Sequence, residues 1–341
     1  MPDRNKNHGL DTAHKAIDPE LASFFQEAAN LEPLEYPRDY PEHMRIRDAM
    51  EREAMYGKAS SHIPARVQAR DGILTLPGRE LAYRLYRPIA VTSPSPAILY
   101  AHGGGWVAGS IYTHDSLCAE ISLRTARTVI SIQYRRAPEN PFPAAHADLW
   151  DAWNWVHAYG RTLGVDTRAI ALSGDSAGGH LALGCVLRHR LEGAGIPAPD
   201  KLLLWYPNTD RRPDTMSRKE YSQGYGLTAS RMDYFWECHE GAASHDSSNY
   251  LLYPGHVPVP EGLPPTVIVT AEHDLLRDEA EHYAERMRAA NKHVTLVRAE
   301  RMLHGFARLH EESKAANLWV RRGCMAFMRS GTAGIGAPPA A

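Results

Sequence analysis

The tightest constraint in this sequence is the octet Leu172-Ser173-Gly174-Asp175-Ser176-Ala177-Gly178-Gly179, which stands between two apolar runs of different character. Before it, Arg168-Ala169-Ile170-Ala171 reads as the end of a short buried strand; after it, Leu181 to Leu187 reads as a helix. A strand that turns at once into a helix has no room for bulk beside the turning residue. Gly174 and Gly178 are the small neighbours that Ser176 needs. The turning residue is held in a strained conformation, its side chain raised above a helix terminus whose free N–H groups favour negative charge. The spacing therefore predicts a serine hydroxyl presented at the carboxyl edge of a sheet. An ordinary tight turn uses the same small residues, so the flanking chain must decide between the two.

Hydrophobic periodicity supplies that context. Gly72–Leu76 and Glu80–Arg87 alternate around Pro77-Gly78 and read as an antiparallel hairpin. Ala97–Ala101, Val129–Tyr134, Ala169–Leu172, Lys201–Tyr206, Thr266–Ala271 and Val294–Ala299 are short β-rich runs. Helical patterns fall between them, near 114–127, 143–159, 177–193, 278–290 and 311–329. Nearly continuous apolar strands alternating with helices predict an α/β fold, a mostly parallel eight-stranded sheet covered on both faces. The catalytic domain is expected over residues 61–330.

Two stretches break the alternation. Residues 1–60 carry two helical patterns: one opening at Asp18-Pro19 with Leu21, Phe24, Phe25 and Ala28 on a single stripe, and one from Pro41 to Met55. They can pack on the flank of the sheet or cover a site as a cap. A second stretch, about 208–260, is rich in aromatic residues, has no clear strand and carries a helix from about Thr228 to Glu240. Insertions at this edge of an α/β sheet commonly build a ligand pocket. The last residues, 331–341, are small and read as a flexible tail.

Composition removes several classes of function. A net charge of −2 lacks the basic excess of a nucleic-acid or anionic-membrane surface. No apolar run is long enough to span a bilayer, and the first residues lack the apolar core of a signal peptide. Cys118, Cys185, Cys238 and Cys324 are far apart, as expected of reduced, buried thiols in a cytoplasmic protein. Eighteen histidines invite a metal, yet no His-Glu-x-x-His or comparable spacing occurs, so no metal and no other cofactor is expected.

A serine hydroxyl needs an adjacent base, usually a histidine oriented by a carboxylate. The acid should follow a later strand end. Asp274 is the choice, with Glu272 in reserve, while Asp278 and Glu279 suit the acidic first turn of the next helix. The base should follow the last strand. His304 is favoured because Gly305 allows a tight loop behind it, with His310 and His293 as alternatives. The run His102-Gly103-Gly104-Gly105-Trp106 lies just past a strand and leaves backbone N–H groups unobstructed, facing the N–H of Ala177 after the serine. It lacks the fingerprint of a phosphate cradle. Trp106, Tyr206 and the aromatic insertion, Tyr225 among it, are candidates for narrowing an acyl pocket, although Trp106 could equally pack behind the loop.

Together Tyr100-Ala-His-Gly-Gly-Gly-Trp106, Tyr134-Arg-Arg-Ala-Pro-Glu139, Gly174-Asp-Ser-Ala-Gly-Gly179, Asp274-Leu-Leu-Arg-Asp-Glu279 and His304-Gly-Phe306 resemble the hormone-sensitive-lipase-like carboxylesterases of the α/β-hydrolase superfamily. The resemblance covers about residues 70 to 325. It implies Ser176 as nucleophile, His304 as base, Asp274 as its orienter, and Gly103, Gly104 and Ala177 as oxyanion donors. It further implies a cap made from the N-terminal helices and the insertion after Tyr206, a small-molecule ester with a short to medium acyl chain as substrate, and a possible homodimer. Two positions depart from the family pattern: Leu275 stands in place of a proline and Arg136 in place of a leucine. The same machinery also serves amidases, formamidases and lactonases, and non-catalytic ligand receptors exist on this scaffold.

Overall fold

Every strand expected from the periodicity joins one sheet in a computed structural model that describes residues 17–29, 40–55, 63–193, 195–211, 214–243, 246–290 and 292–331. The strands are β1 (Val67–Leu76), β2 (Arg79–Pro88), β3 (Ser95–Ala101), β4 (Thr128–Ile132), β5 (Val165–Asp175), β6 (Leu202–Trp205), β7 (Thr266–His273) and β8 (Val294–Leu303). Their spatial order is β1-β2-β4-β3-β5-β6-β7-β8. β1 and β2 form the antiparallel hairpin, Gly78 taking φ +71° in its turn, and β2 runs antiparallel to β4. All other neighbours are parallel.

Alternate residues of the central strands feed two apolar layers, because successive side chains leave a strand on opposite faces. On one face Leu99, Ile130, Leu172 and Leu204 pack with helices α4 (Ala144–Tyr159), α5 (Ala177–Glu192) and α8 (Arg277–Ala289). On the other, Ile98, Val129, Leu203 and Val267 pack with α3 (Asp115–Thr125) and α9 (Lys314–Arg329). Each such side chain, fully buried, stabilises the fold by about 1.5–3 kcal/mol.

The two N-terminal helices attach to this body through different partners. α1 (Pro19–Ala29) is capped by Asp18, whose Oδ1 accepts from the N–H groups of Glu20 and Leu21 at 3.2 and 3.3 Å. Its Leu21 and Phe24 are buried in the α9 layer; the Ala28 side chain expected on the same stripe lies outside the described residues. α2 (Glu42–Met55) packs Ile46 and Met50 against the core and is anchored by Arg47. Arg47 donates to the carbonyls of Val107 and Ala137 at 2.5 and 2.8 Å, and its guanidinium forks onto both carboxylate oxygens of Glu139.

Among the described residues of 208–260 there are two helices, α6 (Met216–Glu220) and α7 (Ala229–Glu240), and no strand. Thr215 and Thr228 cap them by accepting from the N–H groups of Arg218 and Arg231, each at 3.2 Å. Asp278 and Glu279 do open α8, but they also pin the insertion: they accept from the N–H groups of Ser217 and Thr209 at 2.8 and 2.6 Å. The four thiols are not all buried. Cys118, Cys185 and Cys324 are, whereas Cys238, on the outer side of α7, is only partly covered. Among the described residues no helix is long and apolar enough to cross a membrane. The flexible tail expected at 331–341 lies, beyond Gly331, outside the described residues.

Candidate active site

Ser176 turns the chain from β5 into α5 at φ 53° and ψ −121°, a strained conformation for a residue with a side chain. Crowding explains the small residues around it. A Cβ on Gly178 would lie 1.9 Å from the carbonyl oxygen of Ala101, and one on Gly174 would lie 2.3 Å from that of Gly178. The Ser176 N–H donates to the carbonyl of Trp205 at 2.8 Å, which locks the elbow to the neighbouring strand.

Two loops at the same sheet edge meet the hydroxyl. Asp274 directly follows β7 and His304 directly follows β8, where Gly305 takes φ +80° and turns the chain sharply. The imidazole Nε2 lies 2.8 Å from Ser176 Oγ, and Nδ1 lies 2.7 Å from Asp274 Oδ2. The other carboxylate oxygen of the buried Asp274 accepts from the N–H of Leu276 at 2.9 Å, which fixes its orientation. Leu275 is buried beneath this turn. The reserve residues are engaged elsewhere. Glu272 accepts from the N–H of Arg301 at 2.6 Å, and the Nδ1 of buried His310 bonds the carbonyl of Ala307 at 3.0 Å. His293 precedes β8, at the opposite end of that strand from His304.

The glycine loop differs from expectation at one position. The N–H of Gly103 donates to Asp175 Oδ1 at 2.8 Å, so it is already occupied and Gly103 is not an oxyanion donor. The cavity beside Ser176 is lined instead by Gly104 (φ +120°) and Gly105 (φ +60°). A Cβ on Gly104 would lie 2.2 Å from the carbonyl oxygen of Ala108, and one on Gly105 would lie 2.2 Å from the ring of Phe235. All three glycines look alike in the sequence; only the carboxylate behind the first tells them apart. His102 anchors the loop from behind, its ring stacked on Tyr134 at 4.3 Å. Burial, with His114 beside it, pushes its pKa down to about 3. Arg136, the second departure from the family pattern, donates to the carbonyl of Gly109 at 2.9 Å and so braces the far end of the loop.

The three aromatic residues expected to touch substrate do not line the cavity. Trp106 is fully buried behind the loop, its ring stacked on His239 at 4.2 Å, because φ +59° swings it away from Ser176. Tyr206 packs edge-on against the imidazole of His304 at 4.9 Å and supports it from below. Tyr225 turns toward Tyr221 and His273, with ring centroids at 4.8 and 5.6 Å. The cavity, about 420 Å³, is walled by Phe25 of α1, Met50 of α2, and Leu227, Met232 and Phe235 of the insertion. Arg52, Arg231 and Arg308 also line the cavity. A helical stripe in the N-terminal segment was the available signal for Phe25, but nothing in the sequence says which face of a helix meets a distant serine.

Metal-ligand chemistry gathers, among the described residues, at one place: His146, His180 and His239 are buried with a nitrogen from each within 4.8 Å of the others. None of the three lines the cavity.

Residues 98–308 match the family described as alpha/beta hydrolase fold. Esterase LipI of Mycobacterium tuberculosis is 34% identical over 253 residues, 74% of this chain and 78% of that protein. An ethyl acetate hydrolase of Pseudomonas putida is 30% identical over 305 residues, 86% of this chain and 93% of its own length. Among solved structures, a hyperthermophilic esterase from the archaeon Pyrobaculum calidifontis superposes with a TM-score of 0.82 at 31% identity, covering 92% of this chain and 98% of that one. An elbow serine at the sheet edge, together with this breadth of likeness, establishes that the chain belongs to the α/β-hydrolase fold family and is a carboxylic ester hydrolase.

Proposed function

We propose that the protein hydrolyses short- to medium-chain acyl esters through a Ser176-His304-Asp274 triad, in the manner of the hormone-sensitive-lipase-like branch that its motifs resemble. The observation that carries this reading is the line of hydrogen bonds from Ser176 Oγ through His304 to Asp274, at 2.8 and 2.7 Å. With the proton on Nδ1, His304 donates to Asp274 and keeps its Nε2 lone pair for the serine hydroxyl.

Ser176 Oγ attacks the ester carbonyl carbon while its proton passes to His304 Nε2. The N–H groups of Gly104, Gly105 and Ala177 hold the oxyanion, aided by the terminus of α5. The C–O bond to the alcohol then breaks and His304 returns the proton to the leaving oxygen. Water repeats the sequence on the acyl-enzyme and frees the acid. Asp274 stabilises the imidazolium at each stage.

The N-terminal helices and the 208–260 insertion act as a cap, since both contribute walls to the cavity. Its volume of about 420 Å³ and its mostly apolar walls suit an acyl group of modest length. Arg52, Arg231 and Arg308 in its lining favour esters that also carry a negative charge. The test is an acyl series of p-nitrophenyl esters from acetate to laurate with wild type and Ser176→Ala. Turnover should peak at the short end and vanish in the variant; hydrolysis retained by Ser176→Ala would refute the assignment.

A further inference from the structure

We propose that His146, His180 and His239 form a binding site for one transition-metal ion of the imidazole-preferring kind, Zn²⁺ or Cu⁺, which ties α4, α5 and α7 together. The three rings come from three separate elements, and all are buried. Their centroids are 5.2, 5.6 and 6.1 Å apart. Three imidazoles pointing at one tetrahedral ion with bonds of about 2.0–2.1 Å would have centroids about 5.2 Å apart. The ligand nitrogens lie within 4.8 Å of one another, where one tetrahedral ion needs about 3.3 Å, so ring rotations and shifts that bring them closer by up to about 1.5 Å would close the site.

The hydrogen bonding leaves nitrogens free for the ion. His180 Nε2 lies 3.1 Å from the carbonyl oxygen of Leu252 and donates to it, which places the remaining lone pair on Nδ1. That is the arrangement by which ligating histidines are usually oriented. His180 Nδ1, His239 Nε2 and both nitrogens of His146 are buried without a hydrogen-bond partner among the described residues. Buried polar atoms ordinarily have partners, and an ion here would satisfy one such nitrogen on each ring.

The surroundings make room and fix the rings. A Cβ on Gly184 would lie 3.1 Å from His146 Nδ1, so glycine at that helical position keeps space beside the nitrogen. Trp106 stacks on His239 with an interplanar angle of 8°. The backbone carbonyl of His239 accepts from Phe142 at 2.7 Å. With no carboxylate in the group, the donor set disfavours Mg²⁺ and Ca²⁺ and suits Zn²⁺ or copper. An ion here would brace the elbow helix and, through Trp106, the back of the glycine loop, without touching substrate.

The test uses the untagged full chain, stripped with chelator and titrated separately with Zn²⁺ and, under anaerobic conditions, with Cu⁺. Elemental analysis should find about one equivalent of one of the two ions, with a rise in Tm on loading. X-ray absorption of the loaded wild type should show nitrogen neighbours with imidazole scattering at about 2.0 Å. His239→Phe keeps a ring for Trp106 and should lose both the equivalent and the Tm rise. Substoichiometric uptake of both ions by wild type, full uptake by the variant, or an absorption spectrum without imidazole would each overturn the proposal. The wild-type measurements decide even if the variant does not fold, and none depends on the esterase reading.

Discussion

The carboxylate of Asp175 accepts the backbone N–H of Gly103 at 2.8 Å, so the residue directly before the elbow serine holds the first glycine of the facing loop. The same oxygen accepts the hydroxyl of Tyr100 at 2.7 Å, and the other lies 3.2 Å from His114 Nε2. Burial alone would raise the pKa of this acid, but His114 and the Tyr100 hydroxyl hold it well below the usual carboxylate range. It is therefore a fixed anion around which the loop is set.

Asp175→Ala should consequently disorder the oxyanion donors and lower kcat by about a hundred- to a thousandfold, the cost typical of losing one such donor. Asp175→Asn keeps an oxygen that can accept from Gly103 and should lose far less. Steady-state kinetics on p-nitrophenyl acetate compares the two, with circular dichroism confirming that both fold. Near wild-type turnover in Asp175→Ala would remove the anchor role.

Gly105→Ala should abolish most activity, because the new methyl group would collide with the Phe235 ring and sit at a positive φ. The double variant Gly105→Ala/Phe235→Ala removes the collision but not the backbone strain. It should recover part of the loss, and a kinetic double-mutant cycle would read the difference as coupling between the two positions. Strictly additive effects would mean that the collision does not matter.

The fork between Arg47 and Glu139 makes the attachment of α2 dependent on pH. Arg47 hydrogen bonds hold the Glu139 carboxyl down at about 2, below its ordinary value of 4.5. A group depressed in the folded state stabilises above its ordinary pKa and loses that contribution as pH falls toward the folded value. The loss should therefore run from about pH 4.5 down to about pH 2. Glu139 is half-exposed, so solvent screening keeps the effect small. Glu139→Gln should lower Tm slightly at pH 7 and much less at pH 2, where the folded-state carboxyl is already about half protonated; an equal deficit at both would contradict the linkage.

The arginines on the cavity wall should set a preference for charge. Arg52→Ala and Arg231→Ala should each lower kcat/KM for an aryl monoester of succinate or glutarate. They should leave the neutral butyrate ester nearly unchanged, and the difference should shrink at high salt. Equal effects on both substrates would assign these side chains to cap packing alone.

Much of this protein is written in local patterns. Nearly continuous apolar runs specify the strands, because a parallel sheet covered on both faces can be built from little else, and Gly174 and Gly178 mark the elbow at Ser176 because nothing larger fits the crossing with Ala101. Asp274 and His304 could be marked as candidates because each follows a strand end in a sheet whose edges face one way. What the pattern could not carry is direction. Gly103, Gly104 and Gly105 are the same residue three times over, and only the Asp175 carboxylate, brought up by β5, separates the first from the two that line the cavity. Trp106, Tyr206 and Tyr225 are aromatic residues near a site in the chain, but their backbone angles and neighbours send them behind it, to the flank of His304 and toward Tyr221. The cavity wall and the trio of buried histidines join helices far apart in sequence, and such meetings are decided by packing across the sheet, since helical periodicity identifies a buried face and not its partner.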